Sequence, residues 1–569
     1  MSFFDREDQH LGEPIDWHRD WSAGITGPNR PCTYVDYREQ RTFGDCKLVW
    51  EPNRHHQLVT LARAFAVTGS RHYAAKICEL LESWLDANPF GRGMNWKSPL
   101  EIGIRLINWV WAIDLIRDSY RIDDSLWYRI QNAVHYSLWD LRRKFSKGSS
   151  ANNHLIGEAA GAFVAASYFG HLSNYSALVD ECQQILEHEI MSQTYEDGCT
   201  REHAFSYQAF VIQFFSICSL VARRLDSPLS DPFHERLQKM YEFLAEISQD
   251  TDAIPPCGDG DDGYVLDLGA KPQQIEALLS VGAQLLDTPT LQFAGASEPC
   301  AWLFGTSKYD GGEREQSTTS VQFPDSGYFV LRDAHGGSTG KPRVSVLFDC
   351  ASLGYGSIAA HGHADCLSFT LAVRGTPVFV DSGTYDYFSY PEWREYFRST
   401  KAHNTLEIDG RSQSTSSGPF MWSHKANPTL QEWEDDDHHT TVRGCHDGYE
   451  TAEDPLVHSR RVDLDKTNGK LRVTDELRCR NVHRAVRRLH LAPGFIAREV
   501  DSASIHVSNG TVGVIVRHST ENPRIVRADE HEMCGWISAG YHRRSPSSCI
   551  EFSDSIDGTA SLHLSIEQE

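Results

Sequence analysis

The stretch EPCAWLFGTSKYDGGEREQSTTS, residues 298–320, divides the chain into two kinds of sequence. It is crowded with Gly, Ser, Thr and charge, a composition that favours turns over a continued helix. On its N-terminal side apolar residues recur at spacings of three and four. LVTLARAFAVTG (58–69), YAAKICELLESWLDANP (73–89), LEIGIRLINWVWAIDLIRDSY (100–120), LWYRIQNAVHYSLWDLRRKF (126–145), HLIGEAAGAFVAASYFG (154–170) and YQAFVIQFFSICSLVARRL (207–225) all show it. That period gathers apolar side chains on one helix face. Helical hairpins in series must bury those faces on each other, so an (α/α) toroid or solenoid is the expected architecture. On the C-terminal side the pattern alternates, in GYFVLRD (327–333), RVSVLFD (343–349), LSFTLAV (367–373), KLRVTDEL (470–477), TVGVIVRH (511–518) and SLHLSIE (561–567). Many short alternating runs between turn signals predict a large antiparallel β-sandwich. The fold class read from the chain is therefore α+β multidomain, a helical toroid or solenoid over 1–312 followed by a sandwich over 313–569.

With 569 residues, 40% hydrophobic and 23% charged, the chain has the composition of a globular protein with sizeable cores and not of a disordered one. No apolar run reaches the length that spans a bilayer, so no membrane partner is expected. The N-terminus, MSFFDREDQHLGEPIDWHRDW, has no apolar signal core, which implies a cytoplasmic protein or an exported one whose leader was removed. The 14 cysteines contain no CxxC pair, against a zinc ribbon or a thioredoxin-type motif, and buried reduced thiols are the simpler reading. A formal net charge of −24 disfavours nucleic acid as a partner, while an acidic sugar could still meet a local cationic groove.

His361-Gly-His363-Ala-Asp365, then Asp381, then His403-Asn404-Thr405 carry the chemistry. All lie in or beside strand-like sequence: LSFTLAVRGTPVFVDSGTY (367–385) reads as a hairpin and HNTLEIDG (403–410) as a further strand. Two His one residue apart share a strand face, and a neighbouring strand can add Asp381 and His403. Two imidazoles and a carboxylate make a first shell for a divalent ion and leave one His free for substrate. A lone His on a sheet is more often a satisfied core residue; three His and an Asp within 43 residues tilt the reading toward a site.

Three more segments complete a pattern: SSANNHLIGEAAG (149–161), EDGCTREHAFSYQAF (196–210) and REYFRSTKAHNTLEIDGRSQS (394–414). With AAHGHADCLSFTLAVRGTPVFVDSGTY they resemble the heparinase II/III family of polysaccharide lyases. WEPNRHHQLVTLARAF (50–65), NWKSPLEIGIRLINWVWA (95–112) and PPCGDGDDG (255–263) share the likeness. The resemblance implies a toroid followed by a sandwich, in agreement with the patterns above. It also implies β-elimination on a uronate polymer such as heparan sulfate, hyaluronan or chondroitin, with an acidic polysaccharide as partner. Such a lyase takes the C5 proton and expels the C4 oxygen, which needs donors on the carboxylate, a base and an acid. By resemblance Asn153 and His154 face the substrate, Tyr207 is the acid-base phenol, and His361 is a second catalytic His across the cleft. His363, Asp381 and His403 form the metal shell, zinc by ligand preference with manganese the alternative. With both Tyr207 and His available, glucuronate would use the Tyr as base and iduronate a His.

Other residues have plainer readings beside the functional ones. Asn152 suits a helix N-cap. Glu158, one turn past His154, orients it or sits on a solvated face. Asn95, Arg105, Glu202 and Arg398 are the substrate-binding candidates; salt bridges are the commoner role for most Arg, Arg201 and Arg394 included. Trp50, Trp96 and Trp109 read as core. The 258–263 loop fails the EF-hand pattern, with Gly263 and Ala270 where carboxylates are needed. Gly336–Gly340 has the letters of a GxSxG elbow but joins two strand-like runs, where a hairpin loop is expected. Competing functions are an alginate or bacterial exopolysaccharide lyase, a hydrolase using Asp259, Asp261 and Asp262, and a non-catalytic polysaccharide-binding protein. Oligomeric state and cutting mode are not legible.

Overall fold

The structure, a computed structural model, describes residue 4 and residues 11–172, 175–270, 274–292, 297–306, 308, 317–333, 341–451 and 453–569. Gly336–Gly340 lies outside the described residues. The chain packs as two compact units, the first Met1–Thr194, Ala209–Gln238 and Gly263–Gly312, the second Tyr195–Gln208, Lys239–Asp262 and Glu313–Glu569. Two short excursions from helical sequence thus belong with the β-rich unit, and they carry Tyr207 and Asp259.

In the first unit helices alternate between two layers. His56–Thr68, Pro99–Arg117 and Asn153–Tyr168 pack on one another, and Arg71–Ala87, Asp124–Lys144 and Ser176–Ser192 cover them. Sequence decides the layer. Pro99–Arg117 and Asn153–Tyr168 bury most of their residues, 14 of 19 and 13 of 16, whereas the covering helices bury one stripe. The two inner helices touch at glycine. A Cβ on Gly161 would stand 2.3 Å from the Cα of Gly103, and one on Gly103 would stand 2.6 Å from the Gly157 carbonyl oxygen. Trp50, Trp96 and Trp109 are core, as expected.

Phe205–Arg224 departs from the sequence expectation. It is 20 residues long and apolar enough to cross a membrane by length and composition, though most of its apolar window is buried inside the protein. Interspersed Ser206, Gln208, Gln213, Ser216 and Ser219 break its apolar residues into short runs.

The second unit is antiparallel throughout its named strand pairs. A five-stranded sheet runs in chain order from Val321–Phe323 to Thr376–Phe379. An eight-stranded sheet begins Pro428–Asp435, His439–His446, Val457–Asp465, Lys470–Arg478 and then takes in the C-terminal strand Thr559–Gln568. One core joins Phe329, Leu331, Val346, Phe348 and Leu371 to Val442, Val462, Val473, Val516 and Leu564. Lys470–Arg478 alternates inward and outward as its sequence does, while Val344–Asp349 is buried at every position and so shows no clean alternation. The hairpin read at 367–385 is present as Phe369–Val373 and Thr376–Phe379.

Candidate active site

His361 and His363 do not lie on a strand as the alternation suggested. They sit in the loop between Val344–Asp349 and Phe369–Val373. The loop is shaped by Gly362, where a Cβ would fall 1.4 Å from the Leu353 carbonyl oxygen. What aims both rings is Asp259. Its Oδ2 lies 3.0 Å from His361 Nδ1 and its Oδ1 lies 3.0 Å from His363 Nε2. Arg394 grips both oxygens, with Nη2 to Oδ2 at 2.9 Å, and Gly260 N donates to Thr384 Oγ1 at 2.8 Å, pinning the loop.

Tyr207 stacks on His361, with ring centroids 4.0 Å apart and planes 24° apart. Its hydroxyl donates to Asp261 Oδ2 at 3.1 Å and lies 3.0 Å from the Tyr387 hydroxyl. Burial, with Asp261 and Asp259 close by, pushes the Tyr207 phenol well above its ordinary value, so the neutral form is strongly preferred. Burial would raise Asp259 as well, but Arg394 and the two imidazoles hold it well below the usual carboxylate range. His361 moves the other way: burial lowers it, yet the bond to Asp259 and the nearby Glu202 raise it overall. The site therefore pairs a neutral phenol with an imidazole whose charged form Asp259 and Glu202 stabilise. Both Asp259 oxygens are engaged by the two imidazoles and Arg394, which leaves neither free to act as the acid or the nucleophile of a paired-carboxylate hydrolase.

His363, Asp381 and His403 offer ligand atoms that all lie within 4.8 Å of one another, and all three residues are buried. His403 Nδ1 lies 2.7 Å from Asp381 Oδ2. His363 Nδ1 and His403 Nε2 have no hydrogen-bond partner among the described residues. Burial pushes the neighbouring Asp365 up to about 7. Two unsatisfied imidazole nitrogens beside buried carboxylates suit a divalent cation. His363, its far nitrogen fixed by Asp259, has the carboxylate–imidazole support that metal ligands commonly show.

The remaining sequence candidates are accounted for as follows. Glu202 is buried, with an electrostatic influence on Tyr207 and His361. Arg398 is engaged, with Nη2 on Glu395 at 2.9 Å and Nη1 on the Pro419 carbonyl at 3.1 Å. In the first unit Asn152 is an N-cap, its Oδ1 accepting from His154 N at 3.1 Å, and Asn153 opens the helix fully buried. Glu158 is not on a solvated face: its carboxylate accepts from Ser146 N at 2.7 Å and Ser146 Oγ at 2.8 Å. Asn95 donates to Asn88 Oδ1 at 2.8 Å, and its Oδ1 is buried with no partner among the described residues. Arg105 Nη2 donates to the Asn95 carbonyl at 3.0 Å and its guanidinium packs over Trp84. Burial lowers Arg105 to about 9.

Sequence reasoning did not place Tyr387 in the site, and it offered Asp259 and Asp261 only as hydrolase acids, with no role toward the imidazoles or Tyr207. The advance signals for the two Asp were their density between glycines at 258–263 and the likeness of that segment to the family; nothing marked Tyr387.

Comparison with known proteins bears on the family and the fold. The family described as Heparinase II/III N-terminus matches residues 2–270, and Heparinase II/III-like, C-terminal, matches 315–562. A heparin-sulfate lyase of Bacteroides thetaiotaomicron is 24% identical over 399 residues, 67% of this chain and 54% of that protein. The chain thus spans little more than half the length of the curated relatives it matches. Among solved structures, Heparinase III aligns with a TM-score of 0.72 at 16% identity, covering 96% of this chain and 87% of its own. A chondroitin AC lyase of Streptomyces coelicolor, crystallised with chondroitin sulphate, aligns with a TM-score of 0.58 at 12% identity, covering 91% of this chain and 74% of its own.

Proposed function

We propose the following reaction for this chain, which belongs to the heparinase II/III family: cleavage of a uronate-containing polysaccharide by β-elimination. The observation that carries the reading is Tyr207 stacked on His361, its hydroxyl between Asp261 and Tyr387. In the reaction the C5–H bond breaks, its electrons form the C4–C5 double bond, and the C4–O bond breaks as the leaving oxygen takes a proton. A buried neutral phenol is a poor base alone. As the Tyr207 oxygen accepts the C5 proton, its own proton can pass along the existing bond to Asp261. The phenol then protonates the leaving oxygen and Asp261 returns its proton. His361, held by Asp259 and inclined to its charged form, suits a cation facing the negative charge that grows on the uronate, more than it suits a base. Asn153 and His154 keep the substrate-facing role the resemblance implies, with Asn153 bonding the carboxylate.

His363, Asp381 and His403 would hold a divalent ion, zinc by ligand preference with manganese next, supplying fixed positive charge and a cross-link between loops. Of the possible substrates, heparan sulfate stands first because the curated relatives carry heparin-sulfate lyase activity in their names; alginate is the alternative. The test is a panel of heparan sulfate, hyaluronan, chondroitin and alginate, followed by ultraviolet absorbance of the unsaturated product. Tyr207→Phe should lower turnover about 10²–10⁴-fold while substrate binding persists. Unsaturated product at the normal rate from that variant overturns the assignment.

A further inference from the structure

The covering helix Asp124–Lys144 carries a surface that neither the packing of its unit nor the proposed chemistry uses. Trp139 is 45% exposed, Tyr136 is 47% exposed and Phe90, from the turn after Arg71–Ala87, is 39% exposed. Trp139 is the one tryptophan among the large, strongly exposed hydrophobic residues described. The three rings are already assembled. Phe90 and Tyr136 stack at 4.8 Å and 20°, and Phe90 meets Trp139 edge-on at 6.0 Å. Arg143 completes the group: its guanidinium lies 3.9 Å from the Trp139 ring centroid, tethered by a bond from Nη1 to the Trp139 carbonyl at 3.1 Å. Positions 136, 139 and 143 share one helix face.

Charge narrows what this surface can hold. Arg142, Arg143, Lys144 and Lys147 are all exposed, in a chain whose formal net charge is −24. Arg142 is paired with Glu181 and Lys144 with Asp140. Arg143 and Lys147 have no carboxylate partner among the described residues. An anion is therefore the complement, and the rings ask for a ligand with flat apolar faces. Exposed apolar groups gathered in this way mark interaction sites. Pyranose rings bearing carboxylate or sulfate have both properties, since their C–H faces stack on aromatic rings while guanidinium meets the acid groups. In sequence the surface lies close to the substrate candidates of its own unit. Phe90 meets Trp96 edge-on at 4.9 Å, next in sequence to Asn95, and the helix ends nine residues before Asn153.

We propose that Phe90, Tyr136, Trp139 and Arg143 form a platform for an acidic polysaccharide chain, the rings carrying sugar faces and Arg143 taking carboxylate or sulfate. The proposal rests on the uronate-polymer reading of the site. It is tested with heparan sulfate fractions of defined length on wild type, Trp139→Ala and Arg143→Gln, each first shown to melt as wild type does. Expected in Trp139→Ala are long-chain affinity reduced several-fold and a several-fold fall in the ratio of polymer to tetrasaccharide kcat/KM. Arg143→Gln should also flatten the salt dependence of binding. Unchanged affinity and an unchanged ratio in both variants overturn the platform. So does a wild type that sediments as a dimer and becomes monomeric in Trp139→Ala with polymer binding intact, which would make the surface an interface between copies. Failure of the reaction reading looks different: wild type binds the polymer and releases no unsaturated product, and the platform is then judged on affinity alone. A wild type that binds none of the polymers removes both.

Discussion

Asp259 has two oxygens out of reach of water, and His361, His363 and Arg394 all depend on them. Removing its charge leaves the Arg394 guanidinium buried without its counter-ion, a defect that costs about 3–5 kcal/mol in comparable cases. Asp259→Asn is accordingly expected to lower the melting temperature by many degrees and to abolish turnover, read by calorimetry and product absorbance; a melt like that of wild type would show the charge to be dispensable. Glu158 gives a pH prediction. Burial raises its carboxyl from 4.5 to about 7. The folded chain therefore binds a proton that the unfolded chain has lost, and stability falls as pH rises through that window, by about 3 kcal/mol. Glu158→Gln should flatten the pH dependence of Tm between those limits and raise Tm at pH 8. Residues whose role is local were legible: the Asn152 cap is written in its own helix start, and the His363, Asp381 and His403 motifs stand out by type. The partner of the imidazoles was not, because Asp259 and His361 are 102 positions apart and no spacing rule reaches that far.

At the scale of elements, period predicted identity well and exact placement less so. The 3–4 spacing marks the helices because a covering helix must keep one face wet, and the alternation along Lys470–Arg478 marks a strand for the same reason. It failed where that contrast vanishes or where backbone is held by tertiary contacts. His361–Asp365 looked like strand and is loop, fixed by Asp259 and by the Gly362 approach to Leu353. The inner helices Pro99–Arg117 and Asn153–Tyr168 reveal their depth through glycine: Gly103, Gly157 and Gly161 let two backbones touch where no side chain fits. Gly161→Ala gains helix propensity, yet its new methyl would collide with the Gly103 backbone, and overpacking of this kind typically costs about 1–3 kcal/mol. Packing should win, so denaturant melts are expected to show lower stability. A variant as stable as wild type would mean that the helices can part without penalty.

For the molecule as a whole, the two-part organisation was legible because helical and alternating sequence change over near 298–320, whereas the two excursions that carry Tyr207 and Asp259 into the β-rich unit were not. Each is short and flanked by helix, and only long-range packing assigns it. The proposed ion bears on how the β-rich unit is held. His363 and Asp381 flank the strand Phe369–Val373 and its hairpin, and His403 precedes Leu406–Ile408, which pairs with His483–His490 in another sheet. A cation shared by these residues ties loops from two sheets together and relieves the charge of the buried carboxylates. An ion that binds only the folded chain adds about 4 kcal/mol at a thousandfold excess over its Kd. Chelation should therefore lower the melting temperature of the wild type, and metal analysis of the untreated protein should find a stoichiometric divalent ion. Hydrogen exchange should rise on chelation around 361–366, 381–385 and 403–408, while the helices of the first unit keep their protection. In His403→Ala the chelator should have little further effect, since the ligand set is already broken. If untreated protein contains no divalent ion, and chelation moves neither the melt nor the exchange of these loops, His363, Asp381 and His403 are a hydrogen-bonded cluster and the bracing comes from Asp259 and Arg394 alone.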